Sequence, residues 1–336
     1  MKPREKFKLM LLGTLFCAFP LLPARAQGKN IVEPNFLYET PPQIKTQRVI
    51  EFPRESLGEI ILPATLEGES DSDRRGAAKG RVIVPPQRFS WFRPAHRFFQ
   101  NPAVLNTFPE NCIDKLSISA SSLDDSEDGL SDKALKYVGH LKGLIDLDLD
   151  RSDATDAGAV HAAELPNLQR FSAFISALNG TCFKHFAKLT KLRSIDVGHN
   201  TIADENLKYF GDIPNLQYLD LGQNNLTDKG VKQLANCKQL ILLSLSGNPK
   251  ITDKSLETIA NFKNLHLLKL QRTAVTAGAL LRLKNLPLTL IDMPSALCSE
   301  SDMKKLHQTF PKAKIALPKL KRSVDADTDT LFAPLH

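Results

Sequence analysis

A six-residue apolar phrase returns along this chain at nearly constant spacing, and no other feature limits the fold so tightly. Within residues 216–248 it reads Leu216-x-x-Leu219-x-Leu221, then Asn224, Leu226, Thr227 and Asp228; it restarts as Leu240-x-x-Leu243-x-Leu245, then Asn248. Other copies begin at Ile113, Leu144, Leu168, Leu192, Leu265 and Leu288. Starts are 24 residues apart from Leu144 through Leu240, then 25 and 23. The first interval, 31 residues, contains an insertion. A fixed period of this length means a stack of like units, each covering the next, rather than one closed core.

The last two apolar positions of each phrase alternate with a polar one, so they share one face of a short strand. Asn200, Asn224 and Asn248 fall at one repeat position, occupied elsewhere by Ser152, Ser176 and Thr273. An inward Asn there can bond turn backbone that the bend leaves unpaired. Thr-Asp follows at Thr155-Asp156, Thr227-Asp228 and Thr252-Asp253, where Thr can cap a helix and Asp favours its first turn. Helical spacing then takes over, as in Val231, Leu234 and Cys237, or Leu256, Ile259 and Phe262.

The unit, L-x-x-L-x-L-x-x-(N/T/S)-x-(L/I)-T-D-x-x-L-x-x-L-x-x-L, resembles leucine-rich repeat proteins, closest to the cysteine-containing or F-box-associated subtype and to exported bacterial repeat proteins. The resemblance covers residues 113–315 and implies an α/β solenoid. About eight parallel strands would line a concave face, with helices on the convex side, and the fold would serve binding. Residues 168–191 depart from the pattern, with Asn179-Gly180 in place of Thr-Asp.

The remainder is expected to divide as follows. Residues 1–26 read as an export signal: Lys2, Arg4, Lys6 and Lys8, an apolar run from Leu9 to Leu22, then Ala24-Arg25-Ala26 with the cut after Ala26. That run is too short for a membrane span. The chain is thus expected to be secreted or periplasmic, without membrane insertion after cleavage. Cleavage removes five basic residues and one acid, which lowers the formal net charge from +7 to +3 and leaves no case for nucleic acid. Residues 27–47 read as a linker. Residues 48–110 read as a β-hairpin (49–52 with 60–62) and an aromatic cap, with a flexible stretch at 67–80. Phe89, Trp91, Phe92, Phe98 and Phe99 would close the open end of the stack, which otherwise exposes its core. Residues 111–317 hold the repeats, and 318–336 a disordered tail.

No catalytic or metal-ligand set emerges. There is no H-x-x-x-H pair, no G-x-S-x-G elbow and no phosphate-cradling glycine loop, so neither an enzyme nor a cofactor is expected. Residues 124–129 imitate the start of a calcium loop, but Leu135 stands where the bidentate Glu belongs. Cys237 and Cys298 read as small core hydrophobes, and disulfides among Cys112, Cys182, Cys237 and Cys298 would have to bridge separate repeats.

The informative residues are those the strands point outward, on a face about 35 Å long at ~4.8 Å per strand. Candidate binding residues are Asp148, Asp196, Tyr218, Asp220, Leu242, Leu267, Lys269 and Leu290. Early strands are acidic there, through Asp146, Asp148 and Asp150; later ones carry an apolar stripe of Tyr218, Leu242, Leu267 and Leu290. An exposed apolar row with an acidic flank suits a protein partner. The expected function is therefore non-enzymatic protein binding at the cell envelope or exterior. The alternative, a substrate-recognition subunit of a ubiquitin ligase, requires a helical F-box before the repeats. Neither partner identity nor oligomeric state follows from these residues.

Overall fold

A computed structural model describes residues 38–66, 70, 73–119, 129–293 and 299–316. The expected signal segment, the tail after residue 317, Cys298 and most of the acidic insertion lie outside the described residues.

Each apolar phrase forms one three-residue strand. The strands are β6 (Lys115–Ser117), β7 (Asp146–Asp148), β8 (Arg170–Ser172), β9 (Ser194–Asp196), β10 (Tyr218–Asp220), β11 (Leu242–Ser244), β12 (Leu267–Lys269) and β13 (Leu290–Asp292). They pair in sequence order, all parallel, and β14 (Lys314–Ala316) closes the far edge. Their register is strict: Leu219 stands opposite Ile195 and Leu243, and Asp220 opposite Asp196 and Ser244. All three leucines of each phrase point inward; Leu219, Leu221, Leu243 and Leu245 are 0 % exposed. The expected solenoid is the observed fold. Its convex side consists of short α segments and 3-10 stretches, such as Asp228–Gln233 and Asp204–Asp212, until the ten-residue helix Glu300–Thr309 of the last unit. A 24-residue unit leaves little room for more. These turns still bury Leu207, Phe210, Val231, Leu256 and Ile259 against the strands.

The turns after the strands depend on the buried asparagines. Asn224 sends its amide nitrogen to the carbonyls of Val197, Leu221 and Gly222 at 2.9, 3.1 and 3.1 Å. Its carbonyl receives the Ile202 amide at 3.0 Å. Asn248 in turn receives the amides of Asn224 and Leu226 at 3.0 and 2.9 Å. Each Asn therefore satisfies backbone of its own repeat and the one before. One residue ahead, the chain takes positive φ at Arg151, Ile175, His199, Gln223 and Arg272; only Gly247 has a residue type suited to it. The bend recurs at the same repeat position whatever the side chain, so the stack imposes it.

Thr155, Thr227 and Thr252 cap as expected, each accepting from the amide two residues on. The aspartates reach further than expected. Asp228 accepts from the Thr252 amide and hydroxyl at 2.9 and 2.7 Å and from the Ser255 hydroxyl. Asp132 binds Thr155, Asp204 binds Thr227, and Asp253 binds Thr276 in the same way. Burial works against the Asp228 charge, but the Ser255 and Thr252 donors outweigh it and hold its carboxyl below the usual range.

The region before the repeats differs from expectation in three ways. First, β1 (Arg48–Glu51) does not pair with β2 (Gly58–Leu62); it pairs antiparallel with β4 (Arg81–Val84). Second, the stretch expected to be flexible contains β3 (Arg74–Ala77), which pairs with β2. Third, residues 38–47, expected as linker, dock on the sheet: Ile44 is 3 % exposed and packs with Leu66, Phe89 and Ile145. The β2–β3 ribbon joins β5 (Trp91–Pro94), and β5 runs parallel to β6, so the solenoid sheet continues into the cap as twelve strands among the described residues. A Cβ on Gly58, at φ +147°, would lie 2.1 Å from the Arg93 carbonyl oxygen. Phe52, Phe92, Phe98 and Phe108 stack edge-on or tilted beneath the first repeat. The described part of residues 48–110 is strand and cap, with a five-residue α-helix, His96–Gln100, and a 3-10 segment, Pro102–Thr107, and so lacks the helical module that a ubiquitin-ligase subunit requires. Among the described residues no helix is long and apolar enough to cross a membrane.

Replacing Asn224 with Ala should destabilise the chain by about 2–4 kcal/mol, because several buried backbone groups lose their partner at once. Urea unfolding checks this. A shift smaller than that of an exposed convex substitution such as Lys184→Ala would contradict the role given to the asparagine.

Candidate functional site

Strand alternation projects two in-register rows onto the concave face. The first runs Lys115, Asp146, Arg170, Ser194, Tyr218, Leu242, Leu267, Leu290; the second runs Ser117, Asp148, Ser172, Asp196, Asp220, Ser244, Lys269, Asp292. Adjacent strands lie ~4.8 Å apart, so neighbours in a row interact directly.

At the cap end the face is already satisfied. Trp91 is flanked by the Arg93 guanidinium and the Lys115 ammonium, 3.9 and 4.2 Å from its ring centre, and its indole N–H donates to the Ser117 hydroxyl at 2.8 Å. Lys115 Nζ lies 3.3 Å from Asp146 and 3.8 Å from Asp148. Asp146 is 0 % exposed and also receives the Tyr38 hydroxyl. Burial, and then the Asp146 charge, push the Tyr38 phenol well up. The acidic surface expected at Asp146 is therefore an internal pairing between Asp146, Lys115 and Tyr38, a residue 108 positions away that no local pattern links to it.

Behind this lies a second pairing that the sequence did not suggest. Arg48, from β1, places Nη1 2.8 Å from Asp114, at side-chain exposures of 8 % and 0 %. Arg48 Nη2 donates to the Arg88 carbonyl at 2.8 Å, and Asp114 accepts from the Ser90 amide and hydroxyl at 2.7 and 2.9 Å. Burial raises the Asp114 carboxyl against the pull of Arg48. This pair ties the β1–β4 ribbon to the first repeat.

The middle of the face carries clustered acid. Asp196 and Asp220 stand opposite one another on β9 and β10, and each accepts the amide two residues on, from Gly198 at 3.1 Å and Gly222 at 2.8 Å. Asp148 accepts from the Ser117 hydroxyl at 3.0 Å. Asp150 takes the Ser172 hydroxyl and the Phe174 amide. Burial, together with Asp220 and Asp150, pushes Asp196 up to about 7; burial and Asp148 push Asp150 up to about 6. The carboxylates thus repel one another, and a cationic group laid among them would relieve that. Among the described residues no group of three His, Cys, Asp or Glu side chains is arranged to hold a metal ion.

The apolar stripe is where expectation and structure part most clearly. Leu242, Leu267 and Leu290 are not an exposed patch: they are 9 %, 1 % and 4 % exposed. They form an apolar cluster separate from the main core, joined by Tyr218, Ile241 and Ala316. Strict register lines the three leucines up against one another. Tyr218 and Lys269 remain half-buried beside them. The cysteines behave as small hydrophobes: Cys112, Cys182 and Cys237 are buried free thiols, and burial pushes Cys112 and Cys237 up to about 12.

A profile of the family described as Leucine Rich repeat matches residues 188–211 and 213–235. No curated protein matches the chain. Among solved structures, it is similar to an internalin (inlF) of Listeria monocytogenes at 21 % identity and TM-score 0.38, over 52 % of this chain and 53 % of that one. Internalin C2 of the same species is similar at 21 % identity and TM-score 0.42, over 54 % of this chain and 72 % of that one. A leucine-rich repeat protein of Leptospira interrogans gives 18 % identity and TM-score 0.42, over 64 % and 62 %. The matched part thus spans about half the length of the first internalin.

Two outcomes follow from these electrostatics. Removing one partner of the Arg48–Asp114 pair, as in Arg48→Met, should cost about 3–5 kcal/mol by stranding a buried charge; denaturant unfolding measures it, and a loss under 1 kcal/mol would contradict it. Asp196 titrates near 7 when folded and about 3.9 when unfolded. Between those values the folded chain holds the extra proton, so this group's contribution makes stability fall as pH rises from about 4 to 7. Asp196→Asn should flatten that fall in urea midpoints taken across the window, with the smaller Asp150 contribution persisting. Superimposable pH profiles for the two proteins would refute the assignment.

Proposed function

We propose that this chain of leucine-rich repeats is a non-enzymatic binding protein of the cell envelope or exterior, and that it takes a basic segment of a protein partner along the acid row of its concave face. Proteins built of such repeats commonly serve as protein-interaction modules, and the sequence supplies an export signal ending at Ala26. The observation that carries the reading is the Asp196–Asp220 pair with Asp150 beside it, where burial and mutual repulsion push Asp196 up to about 7. A lysine or arginine placed there gains from charges already fixed in register by the strands. It also removes the repulsion that holds a proton on Asp196. Binding should therefore strengthen as pH rises from about 6 to 8 and weaken with salt.

The face has room for this only in its middle. The cap end is neutralised by Lys115 and Arg170, and the far end is apolar and buried. The proposed contacts are thus Asp196 and Asp220, with Asp150 beside them, Asp148 toward the neutralised cap end, and Tyr218 and Lys269 bordering them.

Affinity capture from envelope and extracellular fractions, followed by titration of the retained protein, tests the reading. Asp196→Asn combined with Asp220→Asn should weaken binding at least tenfold, about 1.4 kcal/mol. Lys184→Ala on the convex side should leave it unchanged. Equal loss from both variants, or none from the double variant, would move the site off the concave face.

A further inference from the structure

We propose that the convex side of the middle repeats binds a linear acidic polysaccharide along the row Lys184, Lys208 and Lys232. This goes beyond the acid-row reading and does not depend on it, because the row lies on the opposite side of the stack.

The repeat builds the row. Thr181–Lys188, Asp204–Asp212 and Asp228–Gln233 are the convex segments of three consecutive units and pack side by side. In each, a residue with 0 % exposure (Phe183, Leu207 or Val231) faces the strands, and the lysine that follows it is exposed. The three lysines are 24 residues apart and so share one repeat position. Steps between them fall between the strand spacing of ~4.8 Å and the helix spacing of about 8–10 Å. Lys188 follows Lys184 by four residues and Lys229 precedes Lys232 by three, separations that place both beside the row. The stack does not demand lysine here: Val160 and Glu257 follow the equivalent buried residues Ala159 and Leu256.

The charge of this surface is unlike that of the cap. All five lysines are exposed, and among the described residues none takes part in an ion pair. The exposed acids of the three segments are Glu205 and Asp212, both in the middle unit; Asp204 and Asp228 are turned into their threonine contacts. The cap's Arg81, Arg93 and Arg97 instead each have a glutamate partner. With the acid row on the other side, the stack is polarised, and an anion is drawn to the convex side.

Shape and chemistry select the occupant. A folded acidic protein or a bilayer needs apolar side chains to bury, yet Ile83, in the cap, is the exposed large hydrophobic among the described residues. A single-stranded nucleic acid needs free ring faces for its bases. Tyr209 is half-buried, and Lys208 Nζ stands over its ring, 5.1 Å from the centre. A linear polymer with anions every one or two residues makes neither demand. It bridges lysines fixed in register, and the edges of its sugar rings lie against His185 and Tyr209, which follow Lys184 and Lys208.

Fluorescence anisotropy of a labelled heparin fragment, a linear sulfated polysaccharide, tests this on the full chain at about 0.15 M salt. Lys184→Gln, Lys208→Gln and Lys232→Gln combined should weaken binding roughly tenfold, the summed worth of three exposed pairs. Taken singly, each should give a partial loss, which keeps the test independent of the triple variant's stability. Lys45→Gln, Lys79→Gln and Lys304→Gln combined remove the same charge elsewhere and should cost less than about twofold. Uncharged dextran should not compete. Equal losses from the two triple variants, absence of heparin binding, competition by dextran, or tighter binding of an oligothymidylate or of phosphatidylglycerol vesicles would overturn the proposal. Asp196→Asn with Asp220→Asn should not weaken heparin binding, so failure here is separate from failure of the acid-row reading.

Discussion

A tight turn inside a stack leaves amides and carbonyls facing the core, and nothing in this architecture persists unless they are paired. Buried Asn200, Asn224 and Asn248 do that pairing at three bends, and the Ser176 and Thr273 hydroxyls do a smaller share at two others. Asn224 holds carbonyls of its own repeat and the preceding one while its own amide is held by Asn248. On the convex side Asp132, Asp204, Asp228 and Asp253 repeat the device, each reaching a Thr of the following unit. The two ladders impose one register on strand and turn together. That shared register explains why positive φ is accepted at Ile175 and Gln223, which have no intrinsic preference for it.

A stack held by neighbour contacts has open ends, and the N-terminal end carries the cost of closing one. Continuing the sheet through β5 and the β2–β3 ribbon brings Phe92 and Phe108 beneath the first repeat. The price is a buried charge pair, Arg48 with Asp114, whose remaining hydrogen-bonding capacity is largely met by Ser90 and the Arg88 carbonyl. The same region neutralises the concave face next to it, through Lys115 on Asp146 and Tyr38 from the docked stretch 38–47. The face thus changes character along the solenoid: paired charge near the cap, clustered acid in the middle, a buried apolar stripe at the far end.

How legible this was depended on sequence separation. The strands, the asparagine ladder and the threonine caps were readable because their residues recur within one period, and periodicity is a local property. The outward row of Asp148, Asp196 and Asp220 was readable for the same reason. The strand pairing of residues 48–84 was not. β1 and β2 look like the arms of one hairpin, yet β1 takes β4 as partner, because both edges of β2 are occupied by β5 and β3 as the sheet continues from the solenoid edge. Residues 67–80 read as flexible because their composition is small and charged, but an edge strand such as Arg74–Ala77 needs only backbone pairing and can be exposed on both faces. The stripe of Leu242, Leu267 and Leu290 looked exposed because alternation reveals which way a side chain points and not what lies over it.

By itself, then, the sequence determined the repeat unit, the parallel sheet and which residues each repeat strand points onto the concave face, since a two-residue alternation within a 24-residue period leaves no freedom in those choices. Only the tertiary structure decided which of those residues face one another as charges. The Arg48–Asp114 and Tyr38–Asp146 contacts join positions 66 and 108 residues apart. Whether an aspartate on the face is paired or left repelling its neighbour depends on distances of a few ångströms across the stack, which a linear pattern does not encode.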